Sequence, residues 1–333
     1  MSETTSSIDD MADTFHGEGG EEALRSGRRG RTFESCRPDF GGLPAAIEEL
    51  AVGETLLVEG LPNRLYHGLP CPSKSPLWDF RHHGPVWYYD RHVARTQSPF
   101  SSGALQLGSV VHAALEFGPG KYRSRLAEIP GQFVTASGGL SANKESKAWV
   151  ADQDPDLPLA SPADIATTEA ILKEFFRNSA ARELYEQIDR HELSAIHRRE
   201  DGHTLRCRYD AMTESGVALD WKTTRDARPL ETWWDAVIKH GYHYQQALYG
   251  QIAQAAGLGD GSMVFVAMST TPSYQVQVVT LPPRLVRICE RWIAEDLEEI
   301  EARKEADFWL PEGYGEINEL SFPEWVINRE SNR

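Results

Sequence analysis

The chain has 333 residues, with 34 Lys and Arg against 50 Asp and Glu, and its formal net charge of −16 excludes a generically basic nucleic-acid coat. Hydrophobic residues make up 40% and charged residues 25%, the balance of a globular protein with a full core, not of a disordered, collagen-like or coiled-coil chain. No apolar run approaches the ~18 residues that a membrane span needs.

The charge is uneven. Residues 1–25 hold seven acids against one base and residues 290–333 hold thirteen against five, so the stretch between them is almost neutral. Such a centre is compatible with a polyanionic partner, above all where metal ions add positive charge. Cys36, Cys71, Cys207 and Cys289 lie far apart with no C-x-x-C pair, which predicts reduced, structural thiols. The acidic start MSETTSSIDDMADTF has no apolar stretch of a secretory signal, so a cytoplasmic location is expected.

Residues 1–40 are rich in Ser, Gly, Glu and Arg without apolar periodicity and read as a disordered arm, in which Arg28, Arg29, Arg31 and Arg37 form a solvated basic run. A single domain is expected over 41–310, with its motifs in 101–282, followed by an acidic tail over 311–333. Ser73-Lys74-Ser75-Pro76 reads as a capped helix start, and Gly84-Pro85 as a break that opens another helix. His82, His83 and His92 are expected on helix surfaces, because their spacing lacks partners for a zinc site.

From Gly103 to Phe117, apolar residues recur at helical spacing, and Gly108, His112 and Glu116 fall on one face. Residues 120–160 are punctuated by Gly, Ser and Pro and read as an irregular insertion. Ser161-Pro162-Ala163-Asp164 reads as a capping box that opens a long helix. Three strands then follow over 191–200, 203–212 and 217–224, joined by the turns Asp201-Gly202 and Ser215-Gly216. Helices are expected over 233–240 and 242–257, strands over 262–269 and 274–281, and an amphipathic helix over 281–306. Of Trp233 and Trp234, at least one is expected in the core. The order αβββαββα predicts an α/β fold with a mixed sheet between helices, and the chain has neither GxGxxG nor a Walker A pattern.

Chemistry concentrates on the second and third strands of the trio. Asp210 lies across a tight hairpin from Asp220-Trp221-Lys222, and alternation puts Asp220 and Lys222 on one face. Two carboxylates converging without a cation would force one to be protonated, and a divalent metal with oxygen donors removes that cost. Lys222 beside them would orient or deprotonate a water, or stabilise charge on a phosphate.

These residues together resemble the PD-(D/E)xK nuclease superfamily. Asp210 matches its first acid and Asp220-Trp221-Lys222 its D-x-K, while Gly108, His112 and Glu116 resemble the G-x-x-x-H-x-x-L-E helix of the RecB-like branch. Gln245 to Tyr249 is similar to that branch's Q-x-x-x-Y helix. SKSPLWDF from Ser73, Glu192-Leu193-Ser194, RCRYDAM and LDWKTT resemble the exodeoxyribonuclease VIII-type exonuclease domain, over roughly 73–305. Tyr209 stands where the family often has proline before the aspartate. The resemblance implies a restriction-endonuclease-like core. It also implies Mg²⁺ or Mn²⁺ held by His112, Asp210, Asp220 and the Trp221 carbonyl, and a catalytic trio of Asp210, Asp220 and Lys222. Gln245, Tyr249, Glu116, Glu192 and Ser73 would contact DNA or support the site, with Glu192 reaching the metal through water. The implied activity is metal-dependent exonucleolytic hydrolysis of linear DNA in recombination or repair, with duplex ends as substrate, a single-strand annealing partner and homo-oligomerisation. A DNA-end binding module without turnover is the alternative.

Overall fold

The computed structural model describes residues 30–32, 40–97, 102–136, 138–225 and 230–331. Strand β1 (Gly30–Thr32) is followed by helix α1 (Leu43–Glu48), β2 (Thr55–Val58) and α2 (Asn63–Gly68). Helices α3 (Lys74–His83) and α4 (Pro85–Tyr88) meet at Gly84, whose φ of +87° makes the break that the Gly-Pro pair predicts. Helix α5 (Gly103–Phe117) has the predicted bounds, and Ser102 caps it by accepting from Leu105 N–H.

Residues 120–160 are more ordered than expected. They carry β3 (Ala127–Glu128), α6 (Lys144–Ala151) and β4 (Leu159–Ala160), which pairs with β3 in parallel. Asn143 caps α6 by accepting from Ser146 N–H, a cap readable in the sequence but hidden among turn residues. The capping box of Ser161 and Asp164 opens α7 (Pro162–Arg177), and Asn178 then caps α8 (Ser179–Glu186).

The chain continues through β5 (Ile188–Arg198), β6 (Thr204–Thr213), β7 (Ala218–Thr224), α9 (Leu230–His240), α10 (Tyr242–Ala255), β8 (Met263–Ser269), β9 (Val276–Val279), α11 (Pro283–Ala306) and α12 (Glu324–Ser331). The main sheet has the order β1-β2-β5-β6-β7-β8-β9 and is mixed, with parallel pairs at β1/β2 and β7/β8. Helices cover both faces. Leu77 and Phe80 of α3, Val237 of α9, Leu248 and Ile252 of α10, and Ile293 of α11 pack on Cys207, Tyr209 and Phe265. On the other face Val111 and Leu115 of α5 and Leu172 and Phe175 of α7 pack on Leu219, Trp221 and Val266. Each fully buried side chain of this kind contributes about 1.5–3 kcal/mol of transfer free energy.

The expected arm over 1–40 is not wholly irregular, because Gly30–Thr32 adds to β2 as the edge strand of the sheet. Arg28, Arg29, Arg37 and Cys36 lie outside the described residues, while Cys71, Cys207 and Cys289 are buried and free. The acidic C-terminal stretch divides. Its acids up to Glu305 sit on α11, which belongs to the core through Ile293 and Leu297, and the segment beyond Trp309 is mostly exposed. That segment contains α12 and is not a featureless tail.

The hairpin β6–β7 sets the register of the site, and Gly216 makes its turn. Its φ is +84°, and a Cβ there would meet the backbone oxygen of Leu258 at 2.0 Å and Cα of Gly259 at 2.7 Å. Neither can yield as a side chain would. Gly216→Ala is therefore expected to destabilise the fold by about 3 kcal/mol or more, read as a lower urea midpoint; an unchanged midpoint would show that the turn relaxes freely.

Candidate metal and catalytic centre

The centre forms where the ladder between β6 and β7 opens. Backbone pairing runs only through Met212↔Ala218 and Ala211↔Leu219. At the next rung Asp210 Oδ2 accepts from Trp221 N–H at 2.7 Å, so a side chain takes the place of a strand carbonyl. On β6, Cys207 and Tyr209 face one core but Ala211 faces the other, so alternation breaks at Asp210. On β5 the facing residue is Glu192, between the pairs His191↔Ala211 and Leu193↔Tyr209. Its φ of +47° lies in the left-handed region, a conformation costing about 1–3 kcal/mol for a residue with a Cβ. The two irregularities turn both carboxylates into one cleft.

Helix α5 forms another wall. Gly108 lets it approach β7, since a Cβ there would sit 3.2 Å from Thr223 Oγ1. One turn on, His112 Nε2 lies 3.0 Å from the Trp221 carbonyl oxygen, and Nδ1 lies 3.8 Å from Asp210 Oδ1. One donor atom each from His112, Glu192 and Asp210 falls within 4.8 Å of the other two. An imidazole with two carboxylates is a donor set that suits a hard divalent cation. The cleft has a volume of about 660 Å³ and also holds Glu116, Lys222 and Tyr249.

Asp220, expected as a ligand, is close enough to Asp210 and His112 to feel their charge but stands outside the converging set of three. It is 2% exposed, it accepts from Gln245 Nε2 through Oδ1, and its other oxygen pairs with the Lys222 ammonium. Burial pushes its carboxyl up against the pull of Lys222. Burial pulls Lys222 down, but Asp220 and Asp210 with Tyr242 outweigh it and hold the ammonium above the ordinary lysine range. Gln245, expected to contact DNA and support the site, is 6% exposed and donates to Asp220 Oδ1. Tyr249 is partly buried, and its backbone oxygen accepts from the Tyr209 hydroxyl. Ser73 stands at the N-cap of α3 without a side-chain capping bond and does not line the cleft. Trp233 is core at 5% exposure, whereas Trp234 is exposed at 65%. His82 and His83 are exposed at the end of α3, and His92 bonds Asp79 at 2.8 Å.

Arg208 completes the cleft and was not singled out from the sequence. Strand alternation from Asp210 puts it in phase, which is the signal that marks it. Its guanidinium donates to Ser194 Oγ at 2.9 Å and to the Leu61 carbonyl at 2.7 Å, lies 4.2 Å over the Tyr66 ring, and stands 3.6 Å from Glu192 Oε2.

Burial first, and then the Asp210 carboxylate, push Glu192 up to about 7, against the pull of His112 and Arg208. A carboxyl raised above its unfolded value costs stability as pH climbs from its ordinary 4.5 to about 7. In the presence of a chelator, Glu192→Gln is expected to be more stable than wild type at pH 8 and to match it near pH 4.5. Urea midpoints at the two pH values check this, and an equal gap at both would contradict it.

Residues 89–319 match a family described as the PDDEXK-like domain of unknown function (DUF3799). The chain belongs to this family. Its fold is that of a PDDEXK-like nuclease, a mixed sheet flanked by helices. Among solved structures it is similar to a protein from Eubacterium rectale described as a "putative exonuclease". The TM-score is 0.51 at 14% identity, over 77% of this chain and 92% of that one. No curated protein matches it in sequence. Among the described residues no helix is long and apolar enough to cross a membrane.

Proposed function

We propose that the protein is a divalent-metal-dependent deoxyribonuclease that degrades linear DNA from its ends, in recombination or repair. The observation that carries this reading is one cleft in which His112, Glu192 and Asp210 converge beside the Asp220–Lys222 pair. The three donors would hold Mg²⁺ or Mn²⁺, with the Trp221 carbonyl adjacent. Bound there, the cation supplies Lewis acidity toward a phosphate and increases the acidity of water. Asp210 is held for this task by Trp221 N–H, and Glu192 by its backbone and by Arg208. Lys222, kept as an ammonium by Asp220, orients the attacking water and offsets charge that builds on the phosphate. Gln245 fixes the far oxygen of Asp220 and so keeps Lys222 aimed.

Digestion from ends has a direct test. Linear duplex DNA incubated with Mg²⁺ is expected to disappear to short products, while the same plasmid as a closed circle persists. One 5′-labelled and one 3′-labelled duplex give the polarity. Discrete fragments from the circle would favour an endonuclease, and binding of ends with no cleavage of any DNA form would favour a non-hydrolytic end-binding module.

A further inference from the structure

A second hollow adjoins the cleft. It has a volume of about 330 Å³ and lies between α3, which contributes Lys74, Trp78, His82 and His83, and the last turn of α9, which contributes Lys239 and His240. The Tyr242 ring, in the cleft, stacks on His240, in the hollow, with centroids 5.6 Å apart, so one aromatic pair forms the wall between them. The Lys222 ammonium lies 4.9 Å from that same ring.

The hollow gathers basic side chains, two lysines and three histidines with Asp79 beside them, in a chain whose net charge is −16. Lys74 donates to the His240 carbonyl and makes no ion pair among the described residues. Burial first, and then the nearby Lys222, push it down to about 7 against the weaker pull of Asp220 and Asp79, so its ammonium is only partly offset by the carboxylates around it. Lys239 is exposed and likewise has no ion pair among the described residues. Asp79, the acid of the hollow, is turned to His92 at 2.8 Å and to Arg91 at 3.7 Å. Lys74 and Lys239, near Lys222 of the reaction centre, give this side of the cleft a positive potential toward an anionic strand, and a phosphate bound there would favour the charged form of Lys74.

We propose that this hollow is a subsite for a phosphate group of the nucleic-acid strand, contacted by Lys74 and Lys239. It rests on the reading of the neighbouring cleft as a nuclease centre and extends it by a short step along the strand. The phosphate is either an internal phosphodiester or the terminal phosphate of the strand.

The test is equilibrium binding of a 20-base-pair duplex to the full chain by fluorescence anisotropy. Ca²⁺ serves as the divalent cation, and strand length is checked on a gel afterwards. Wild type, Lys239→Gln and Lys74→Gln are compared across a salt series, with 5′-phosphorylated and 5′-hydroxyl duplexes. Each substitution is expected to weaken binding several-fold and to reduce the slope of log affinity against log salt by about 1. Equal losses on both duplexes identify an internal phosphodiester, and a loss confined to the phosphorylated duplex identifies the terminal phosphate. Unchanged affinity and slope in both variants would overturn the proposal. So would a Lys74→Gln protein that melts earlier but keeps the wild-type slope, together with a Lys239→Gln protein like wild type, because Lys74 would then only cap α9. The readout separates the two claims. Loss of slope in a protein that hydrolyses no DNA keeps the subsite and removes the nuclease reading. Wild-type slopes in a protein that hydrolyses DNA do the reverse.

Discussion

Asp210→Asn is expected to slow hydrolysis of linear duplex DNA by about 10³-fold or more, without unfolding the protein. Asparagine keeps the shape of the side chain, and its carbonyl oxygen can still accept from Trp221 N–H, the bond that opens the β6–β7 ladder at 2.7 Å. What it removes is the negative charge that Asp210 brings to the cluster with His112 and Glu192. The same substitution should therefore weaken Mn²⁺ binding in calorimetry. The urea midpoint is expected to hold or rise, because Glu192 then loses a carboxylate neighbour that disfavours its ionised form. Activity within tenfold of wild type would remove Asp210 from the catalytic centre.

Lys222→Met is expected to cost about 10²–10⁴-fold in rate through a different route. Methionine fills the space beside the Tyr242 ring but offers no charge, and Asp220 keeps only its bond from Gln245. Burial then favours the neutral carboxyl at Asp220. Lys222 is not one of the three converging donors, so Mn²⁺ affinity should stay close to wild type while kcat falls and KM changes little. A parallel loss of metal affinity and rate would mean that Asp220 and Lys222 act through the metal set and not on the water or phosphate.

The hairpin trio was legible because its chemistry is local. Asp201-Gly202 and Ser215-Gly216 are strong turn signals, and the alternation of HTLRCRYDAM and VALDWKTT places the strands within a residue or two of β6 and β7. Helix α5 was legible from its 3.6-residue period. The orientation of Asp220 was not, because it depends on Gln245, 25 residues on, in the helix α10. Glu192 is named by the resemblance of Glu192-Leu193-Ser194 and not by strand periodicity. Its left-handed backbone breaks the alternation from which a strand is read, and that break is what admits the carboxylate to the cleft. Lys74 and His240 are 166 residues apart, and no spacing rule connects them. Elements such as β2, four residues with all side chains buried, escape notice because a short apolar run carries no period.

The net charge of −16 takes on a specific meaning once the acids are placed. Many of the C-terminal acids ride on α11, on the opposite side of the sheet from α5, while the cleft gathers Lys222 and Arg208 with carboxylates that a cation would neutralise. DNA affinity is accordingly expected to depend on divalent cation.

The most direct measurement is hydrolysis of end-labelled linear duplex DNA by the full chain, first stripped with a chelator and then given Mg²⁺ or Mn²⁺. The account predicts no shortening in the chelator and progressive shortening from the ends once either cation is restored. Shortening that persists in the chelator, or an inert protein in both cations on every DNA form, would contradict it.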